Sequence, residues 1–428
     1  MEPRSVLSLN DIDLNDLGFW MRPYAEREGA FKTLRDERPI AYFSEPVMGE
    51  ESPIPLPVGN GYFAITRHAD VTEISRKPEL FCSSKGATSI LDLPEEMVEY
   101  FSGMINTDNP RHARLRRIVS QAFNPRMIKS IEDSIEGVAN DVIDDICERG
   151  IIDVTVDLAA PLPLKIICDM MGVPEDRYDD VFRCSNIILS MGDPEYIGEE
   201  VHPILAFLSA GAELTAIMEG IAEEKLRNPG PDLTSALITT NIDGEALTHS
   251  ELASFFVLLV VAGNETTRTA ITHGVLALSQ YPEEKAKWLH DVEGLLPTAV
   301  DEIVRWASPV IWMRRTATQD VVVSGHEFHE GDKVLLYYSS ANRDERVFAN
   351  PFTFDLSRNP NPHLGFGAAG PHFCLGAHLA RREIGVMFRE LFKRLPDLTV
   401  TGEPDRLQSN FVNGIKHLEA SFTPTARR

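Results

Sequence analysis

The amino-acid sequence predicts a mainly α-helical protein with small β-sheets, folded as one domain over residues 1–428. The long segments with a helical period, which predict helices, are residues 128–149, 203–227, 251–279, 298–307 and 377–395. The short β-like runs, which predict strands, are residues 62–66, 321–323 and 334–338. No change in composition marks a linker, so we expect a single domain.

The charge balance excludes one class of partner. Lys and Arg together number 41 against 65 Asp and Glu, which gives a formal net charge of −24. A nucleic-acid-binding surface needs a basic footprint, so we expect no nucleic-acid partner. Residues 1–20 are polar, and the longest apolar run, residues 255–263, is too short to span a bilayer. We therefore expect no membrane anchor and a cytoplasmic protein.

The predicted helix that begins near residue 251 is unusually apolar. Thr248 and Glu251 form an S/T-x-x-E capping box, which is typical of a helix N-terminus. Apart from Ser254, residues 252–262 are apolar. A helix that is apolar on every face is expected in the middle of a large core.

Glu265 and Thr266 follow this apolar stretch and are candidate catalytic residues. A carboxylate in a buried helix is costly unless it is paired or neutral, which makes it a candidate for function. Ala262 and Gly263 are small and leave room for a ligand beside the helix. A carboxylate next to a hydroxyl can relay protons from solvent. The alternative, of similar weight from the pattern alone, is an acid paired with Arg268 where the helix reaches the surface.

Cys374 has unusual neighbours among the five cysteines, whose wide spacing predicts reduced thiols. It lies in the stretch Phe-Gly-Ala-Ala-Gly-Pro-His-Phe-Cys-Leu-Gly, residues 366–376. The glycines and the proline predict a tight loop that runs into a helix near Leu375. A thiol at a helix N-terminus has a lowered pKa and nearby N–H donors, which suits a metal ligand. The alternative is a buried structural cysteine.

Two groups of charged residues also stand out. Glu302 and Arg305 share one helix face, a weak signal alone that gains weight if the pair is buried. Residues 111–117 hold four arginines in an acidic chain, and His112 and Arg116 share one face of a predicted helix. This cluster suggests a bound anionic group or an acidic partner. A solvated face is the alternative.

These motifs, in this order, resemble the cytochrome P450 family over residues 31–417. Residues 262–267, Ala-Gly-Asn-Glu-Thr-Thr, look like the family's oxygen-binding motif. Glu302 and Arg305 look like its E-x-x-R pair, and Arg358 looks like the third member of that structural triad. Cys374 corresponds to the axial thiolate. The resemblance therefore implies the mainly α cytochrome P450 fold, a triangular prism of helices with small β-sheets.

The resemblance also implies the cofactor, haem b (iron protoporphyrin IX). By this resemblance the haem propionates are contacted by His112, Arg116, Arg315 and His372. The other expected cofactor-binding residues are Ala262, Gly263, Phe366, Gly367 and Gly376. One departure is visible, because Phe366 stands eight residues before Cys374 where the family's bacterial members have seven. A second is Glu265, where many relatives have Asp.

Several stretches look closer still to mycobacterial hydroxylases of methyl-branched lipids and sterol side chains. They are residues 164–172, 261–268, 359–363 and 413–416. The resemblance implies hydroxylation, at or near the chain end, of an apolar lipid such as a methyl-branched fatty acid or an isoprenoid. A cholesterol-like or cholestenone-like sterol side chain is the alternative substrate.

An apolar substrate pocket is expected from three segments. Residues 81–104 should form a lid, and the pocket residues expected there are Ile90, Leu91, Leu93, Met97 and Phe101. The pocket residues expected later in the chain are Val310, Ile311, Phe411 and Val412. For any one of these side chains, an ordinary place in the core is an even alternative.

The implied reaction inserts one atom of O₂ into a C–H bond, and the other atom leaves as water. We expect no fused reductase domain, so the resemblance implies electrons from a ferredoxin and its reductase. Arg114 or Arg117, with Arg381 or Arg382, is the expected docking cluster. Two rivals remain at this point, a haem-thiolate peroxygenase and a non-catalytic haem-binding or sensor protein.

Overall fold

The computed structural model describes most of the chain. The described residues are Pro3, 7–46, Leu56, 59–94, 97–98, 103–122, 125–190, 192–198, 201–241 and 244–428. Within them the secondary structure is mainly helical, as the sequence predicts.

The described α-helices are numbered in chain order. They are α1 Leu17–Trp20, α2 Tyr24–Glu37, α3 His68–Ser75, α4 Arg111–Ala122, α5 Pro125–Ile146, α6 Pro161–Met171, α7 Tyr178–Leu189, α8 Pro194–Ile197, α9 Pro203–Arg227, α10 Leu233–Thr239, α11 His249–Gln280, α12 Pro282–His290, α13 Val292–Ala307, α14 Tyr338–Ala341 and α15 Ala377–Arg394. A π-helical segment, Val154–Ala159, precedes α6.

The described strands form small sheets. They are β1 Ile40–Phe43, β2 Tyr62–Ile65, β3 Phe81–Cys82, β4 Ile151–Asp153, β5 Trp312–Ala317, β6 Val321–Val323, β7 His326–Phe328, β8 Lys333–Tyr337, β9 Thr399–Val400, β10 Asp405–Arg406, β11 Ile415–His417 and β12 Glu419–Ser421. The largest sheet has the order β1-β2-β8-β5-β3, in which β2 and β8 are parallel and the other neighbours are antiparallel.

Helix α11 forms the centre of the main core. Its N-terminus has the predicted capping box, with Glu251 N donating to Thr248 Oγ1 at 3.1 Å and Thr248 N donating to Glu251 Oε2 at 3.0 Å. Helices α6, α7, α9, α13 and α15 pack around it. Packing by these helices explains why residues 252–262 have so few polar side chains, since most of that stretch is buried between helices.

Helix α13 begins earlier than the sequence suggests. The prediction starts it at residue 298, after Pro297, whereas the helix runs Val292–Ala307 and contains Pro297. The side chain of Asp291 caps the N-terminus by accepting from Gly294 N at 2.9 Å. Pro297 is the sixth residue of this helix, so the helix continues through it without the backbone hydrogen bond that an N–H at this position would donate.

Helix α9 is long and apolar enough to cross a membrane by length and composition alone. About 33% of its most apolar window is buried in the protein. A core helix passes the same test, so this feature is weak support for a membrane-spanning segment. From the sequence, a helix was predicted over residues 203–227, but only residues 255–263 were considered as a possible membrane span.

Candidate functional site

Cys374 ends a tight loop immediately before α15. Its N–H donates to the carbonyl oxygen of Phe366 at 3.0 Å, so the eight-residue spacing between them is closed by a backbone hydrogen bond. Gly370 packs closely, because a Cβ there would lie 2.5 Å from the carbonyl oxygen of Ser75. Gly367 has a φ of +82°, a left-handed conformation that favours glycine. Close packing at Gly370 and the left-handed backbone at Gly367 therefore explain why both positions are glycine.

Cys374 is an exposed residue, although protein atoms surround its thiol closely. This enclosure raises the pKa of the Cys374 thiol by desolvation. The N–H of Gly376 donates to the sulfur, and this bond, with Arg116 and Arg381, acts in the opposite direction. The sequence argument expected a lowered pKa at this helix N-terminus. Without a metal ion the desolvation of the thiol is the larger effect, so that expectation is wrong for the protein alone.

Four basic side chains converge beside the loop. The imidazole rings of His112 in α4 and His372 in the loop have centroids 4.2 Å apart. Arg116 donates from its terminal nitrogens to two loop carbonyl oxygens, at 3.0 and 2.9 Å. Burial and the neighbouring side chains of Arg315, His112 and Arg116 lower the pKa of His372 to about 3.

This cluster has an excess of positive charge. Within the described part of the chain, neither Arg116 nor Arg315 forms an ion pair with an acid. Arg315 is 8% exposed, so its guanidinium is largely removed from bulk water. A buried cation without a counter-charge is costly, and an anionic ligand would relieve that cost. The four residues that the sequence predicts to contact the propionates therefore lie together, and their excess positive charge suits the two propionate carboxylates.

Helix α11 has one accessible stripe on an otherwise buried surface. Leu258, Leu259, Ala262 and Thr266 are at least partly accessible, and most of their neighbours on the helix are buried. Their spacing of three or four residues places them on one face. Gly263 is different, because a Cβ there would lie 2.6 Å from Ile167 Cδ1 of α6. The open side of the helix is therefore at Ala262, and Gly263 permits close helix packing.

Glu265 and Thr266 are adjacent but not hydrogen-bonded to each other. The Glu265 carboxylate is 3% exposed and pairs with the Arg268 guanidinium, which is also buried. Thr269 Oγ1 donates to the other carboxylate oxygen of Glu265 at 3.3 Å. The Thr266 hydroxyl donates to the Ala262 carbonyl oxygen at 2.7 Å. The acid thus has its predicted alternative partner, Arg268, but deep in the core and not at the surface.

Glu302, Arg305 and Arg358 form one buried network. The Arg305 side chain donates twice to the Glu302 carboxylate, at 2.7 Å each, and both residues are 0% exposed. Arg358 Nε donates to the same carboxylate at 3.1 Å. Asp355 N adds a backbone donor at 3.0 Å. The carboxylate therefore has partners from two arginines and the chain that follows α14.

Most of the expected pocket residues lie in one apolar cluster. Ile90, Ile311, Phe411 and Val412 are buried in it, and Val310 packs against it while partly accessible. Ile311 and Val412 are 2% exposed, which is typical of ordinary core residues. Three further expected residues are partly accessible, namely Leu91, Leu93 and Met97. Phe101 lies outside the described residues.

Several residues at this site were not predicted from the sequence. Asn186 of α7 and Tyr196 of α8 both contact Arg268, and neither has a motif around it. Leu258 and Leu259 lie on the accessible stripe, which their spacing from Ala262 and Thr266 could have indicated. They were overlooked because the whole stretch is apolar.

The residues present fit the haem group that the resemblance implies. Cys374 is an exposed residue at the start of α15, and the basic cluster beside it has no ion-paired acid among the described residues. The accessible stripe of α11 provides an apolar wall with one hydroxyl, that of Thr266. A soft sulfur donor, basic groups for carboxylates and an apolar wall match a thiolate-bound porphyrin.

Known proteins resemble this chain over nearly its whole length. The cytochrome P450 family model matches residues 212–419. The methyl-branched lipid omega-hydroxylase of Mycobacterium tuberculosis is 48% identical over 427 residues, which are 98% of this chain and 97% of that protein. The steroid C26-monooxygenase of Mycolicibacterium smegmatis is 41% identical over 367 residues, 85% of this chain and 84% of that protein.

A solved structure agrees with the described fold. It is a Mycobacterium marinum cytochrome P450 in complex with pseudoionone, with a TM-score of 0.90 at 40% identity, covering 98% of this chain and 100% of that chain. The curated relatives are a hydroxylase and a monooxygenase by name, which leaves no support for the non-catalytic alternative. Haem b is the cofactor of this family. The chain belongs to the cytochrome P450 family and is a haem-thiolate monooxygenase.

Proposed function

We propose that this monooxygenase hydroxylates a methyl-branched fatty acid or an isoprenoid at or near the end of its chain. The observation that carries the proposal is the 48% identity, over 98% of this chain, to a methyl-branched lipid omega-hydroxylase. The apolar cluster around Ile90 and Phe411 supports it, because apolar walls orient a chain by shape. We also propose that residues 1–428 form one domain and that the enzyme works in the cytoplasm.

Cys374 is the proposed ligand of the haem iron. Haem bound through a thiolate activates O₂ for insertion of one oxygen atom into a C–H bond. Arg116 holds the Cys374 loop through the carbonyl oxygens of Pro371 and Phe373. We assign the haem propionates to His112, Arg116, Arg315 and His372. Gly376 donates its N–H to the sulfur, which tunes the electron density on the ligand.

Glu265 and Thr266 are the proposed proton relay. The Thr266 hydroxyl lies on the accessible face of α11, and the Glu265 carboxylate lies next to it in the chain. The hydroxyl holds and directs a proton near the reaction, and the carboxylate replenishes it from solvent. In this role Glu265 acts as the acid and Thr266 as the positioned donor.

Shape selection by apolar walls should favour branched chains without being absolute. One methylene in such a pocket contributes roughly 1–3 kcal/mol to discrimination. A branched and a linear fatty acid of equal length should be compared by the Soret shift on binding and by the position of the hydroxyl group in the product. Tighter binding and terminal oxidation of the branched acid support the proposal. Equal affinity with mid-chain oxidation of both acids would overturn it.

A sterol side-chain substrate is the second candidate. Its support is the 41% identity to a steroid C26-monooxygenase over 85% of this chain. A sterol presents a rigid ring system behind a short branched tail, whereas a fatty acid is flexible throughout. Competition between cholestenone and a branched fatty acid, followed by the Soret shift, separates the two. Tighter binding of cholestenone with oxidation of its side-chain end would favour the sterol reading.

A ferredoxin with its reductase is the proposed electron source. Members of this family without a fused reductase take electrons from a separate protein, and a basic face near Cys374 would suit an acidic one. Arg114 is a poorer docking residue than the sequence suggests, because Glu251 accepts two hydrogen bonds from its Nη2, at 2.9 and 2.8 Å. Arg117 is 48% exposed and pairs with the similarly exposed Glu245 at 2.9 Å, and Arg381 pairs with Asp301.

The docking proposal is tested by charge reversal at low salt. Arg117→Glu combined with Arg382→Glu should slow ferredoxin-driven reduction, because rim charges chiefly set association rates. Arg427→Glu is the matched control, since Arg427 is exposed and pairs with Asp145 at the end of α5 and with Glu148 just after it. Equal rates in the double variant and in the wild type would place the docking face elsewhere.

A further inference from the structure

The guanidinium of Arg268 has partners on three helices. On α11 its Nη2 pairs with the Glu265 carboxylate, one turn earlier. From α7, Asn186 Oδ1 accepts a hydrogen bond from Nη1 at 3.1 Å, and the Phe182 ring lies 5.6 Å from the guanidinium carbon. From α8, the Tyr196 hydroxyl lies close enough to interact with the guanidinium. Arg268 therefore joins the helix of the proton relay to α7 and α8.

Glu265 and Thr266 are not hydrogen-bonded directly to each other in this arrangement. The Glu265 carboxylate is engaged by Arg268 and by Thr269 Oγ1, while the Thr266 hydroxyl donates to the Ala262 carbonyl oxygen. A proton passes between groups only when they come within hydrogen-bond distance of each other, directly or through one water. Direct transfer between Glu265 and Thr266 therefore requires these hydrogen bonds to change, and for Glu265 this means opening its ion pair with Arg268.

Opening this ion pair leaves a buried cation behind. Arg268 is 5% exposed, so water cannot replace the carboxylate easily. A buried charge without partners is expensive. Asn186, Tyr196 and Phe182 are neutral, and their carbonyl oxygen, hydroxyl and ring face can stabilise the guanidinium while the carboxylate is away. They lower the barrier to opening without competing as acids.

We propose that Arg268 is a positioning residue shared between Glu265 and the partners Asn186 and Tyr196, which hold its guanidinium whenever Glu265 turns toward Thr266. Proton delivery then depends on contacts from α7 and α8, neither of which carries a relay residue. The inference rests on the catalytic role proposed above for Glu265 and Thr266.

The α8 contact is itself fixed from the opposite side. Glu195, next to Tyr196, accepts from Lys416 Nζ at 2.7 Å and contacts His417 Nε2 at 2.8 Å. Asp193 caps α8 by accepting from Glu195 N at 3.1 Å. Tyr196 is thus held in place by β11, which makes it a defined partner for Arg268.

The chemistry offers a way to isolate proton delivery. Productive turnover converts R–H, O₂, NADH and one proton into R–OH, water and NAD⁺. When protons arrive too slowly, O₂, NADH and one proton give hydrogen peroxide and NAD⁺ instead. Added hydrogen peroxide supplies the oxygen atom together with its own protons, because R–H and H₂O₂ give R–OH and water. A defect in the relay therefore affects NADH-driven turnover and spares peroxide-driven turnover.

The test uses Asn186→Ala and Tyr196→Phe in the haem-loaded enzyme. Product per NADH should fall by roughly two- to thirtyfold, the range typical of changes in the coupling between groups. The solvent deuterium isotope effect should rise, and peroxide-driven turnover and the substrate Kd should stay within about twofold of the wild type. A parallel loss of both kinds of turnover, or no loss of either, would overturn the proposal.

Ser185→Ala is the matched control. Ser185 precedes Asn186 in α7, and its Oγ accepts from Asn264 Nδ2 of α11 at 3.2 Å without contacting Arg268. The Ser185→Ala change therefore removes a polar link between the same two helices, α7 and α11. Product per NADH should nevertheless stay near the wild-type value. If Ser185→Ala matched Asn186→Ala, general loosening of α7 would explain the effect, and Arg268 would lose its assigned role.

Glu265→Gln separates this inference from the catalytic assignment. If Glu265→Gln leaves the isotope effect and the product yield unchanged, the proposed role of Glu265 fails, and the inference fails with it. If Glu265→Gln impairs turnover while Asn186→Ala and Tyr196→Phe do not, only the inference fails. Arg268→Lys should be the mildest change at Arg268, since it keeps a cation beside Glu265.

Discussion

The imidazole rings of His112 and His372 lie with their centroids 4.2 Å apart, one on α4 and the other in the Cys374 loop. Burial and the nearby side chains of Arg315, His112 and Arg116 lower the pKa of His372 to about 3. The positive charge beside these rings is therefore that of Arg116 and Arg315, and it suits an anionic ligand. The relationship between these two rings therefore leads to a prediction about haem retention.

Arg315→Gln should weaken haem binding. Hydrogen bonds to charged groups contribute about 1.5–3 kcal/mol, so loss of one propionate contact should speed haem release roughly ten- to a hundredfold. The measurement is the rate of haem transfer to an excess of a haem-scavenging protein. Arg149→Gln is the control, because Arg149 is 48% exposed and pairs with Asp157. Equal release rates in both variants would remove Arg315 from the haem contacts.

Glu302→Ala should prevent accumulation of stable, haem-loaded protein. Removing one member of a buried charge pair costs about 3–5 kcal/mol, because the other charge is left without a partner. Unfolding by denaturant and the yield of haem-loaded protein report this loss. Glu293→Ala is a matched control on the same helix, since Glu293 is 68% exposed and its pair with Arg389 should contribute about 0–1 kcal/mol. A stable but inactive Glu302→Ala variant would instead indicate a catalytic role.

Thr266→Ala should uncouple the enzyme. NADH and O₂ consumption should continue, while product falls by about tenfold or more and hydrogen peroxide rises, because the hydroxyl that directs protons is gone. Thr266→Ser keeps a hydroxyl and should recover much of the yield. Unchanged product per NADH in Thr266→Ala would remove this residue from the proton relay.

His417 should make stability depend on pH. Burial alone would lower the pKa of His417, but hydrogen bonds to Asp153 and Glu195 outweigh it and raise the pKa. A raised folded-state pKa means that the stabilisation is fully present below the unfolded value, about 6.5, and is lost as pH rises through the folded value. His417→Gln should therefore lower Tm near pH 6 and change it much less near pH 9.

The control for this pH dependence is His329→Gln, at a histidine whose side chain is 66% exposed. Its effect on Tm should be small at both pH values. If His417→Gln lowered Tm equally across this pH range, the interaction of His417 with Asp153 and Glu195 would not depend on its charge.

Local signals explain why much of the fold was predictable. The capping box at Thr248 and the apolar stretch after it indicate a buried central helix, and α11 has both. The family resemblance predicted that Glu302, Arg305 and Arg358 belong together, and the structure brings them into one network. The start of α13 was misplaced, because the helix begins at Val292 and continues through Pro297.

Long-range contacts explain why part of the site was not predictable. Asn186 and Tyr196 reach Arg268 from helices far away in the sequence, and no spacing rule connects them. The raised pKa of the Cys374 thiol depends on surrounding protein atoms, which a helix-terminus argument ignores. Gly263 was expected to make room for a ligand, but only the position of Ile167 shows that the space there is filled.

Thiolate ligation by Cys374 is tested most directly by the ferrous carbon monoxide spectrum of Cys374→His. The wild type should show the red-shifted Soret band of thiolate-ligated haem, and Cys374→His should lose that shift while it retains haem. Cys168→Ser, a change at a buried cysteine of α6, should keep the red-shifted band. A red-shifted band that persisted in Cys374→His would contradict the assignment of Cys374 as the iron ligand.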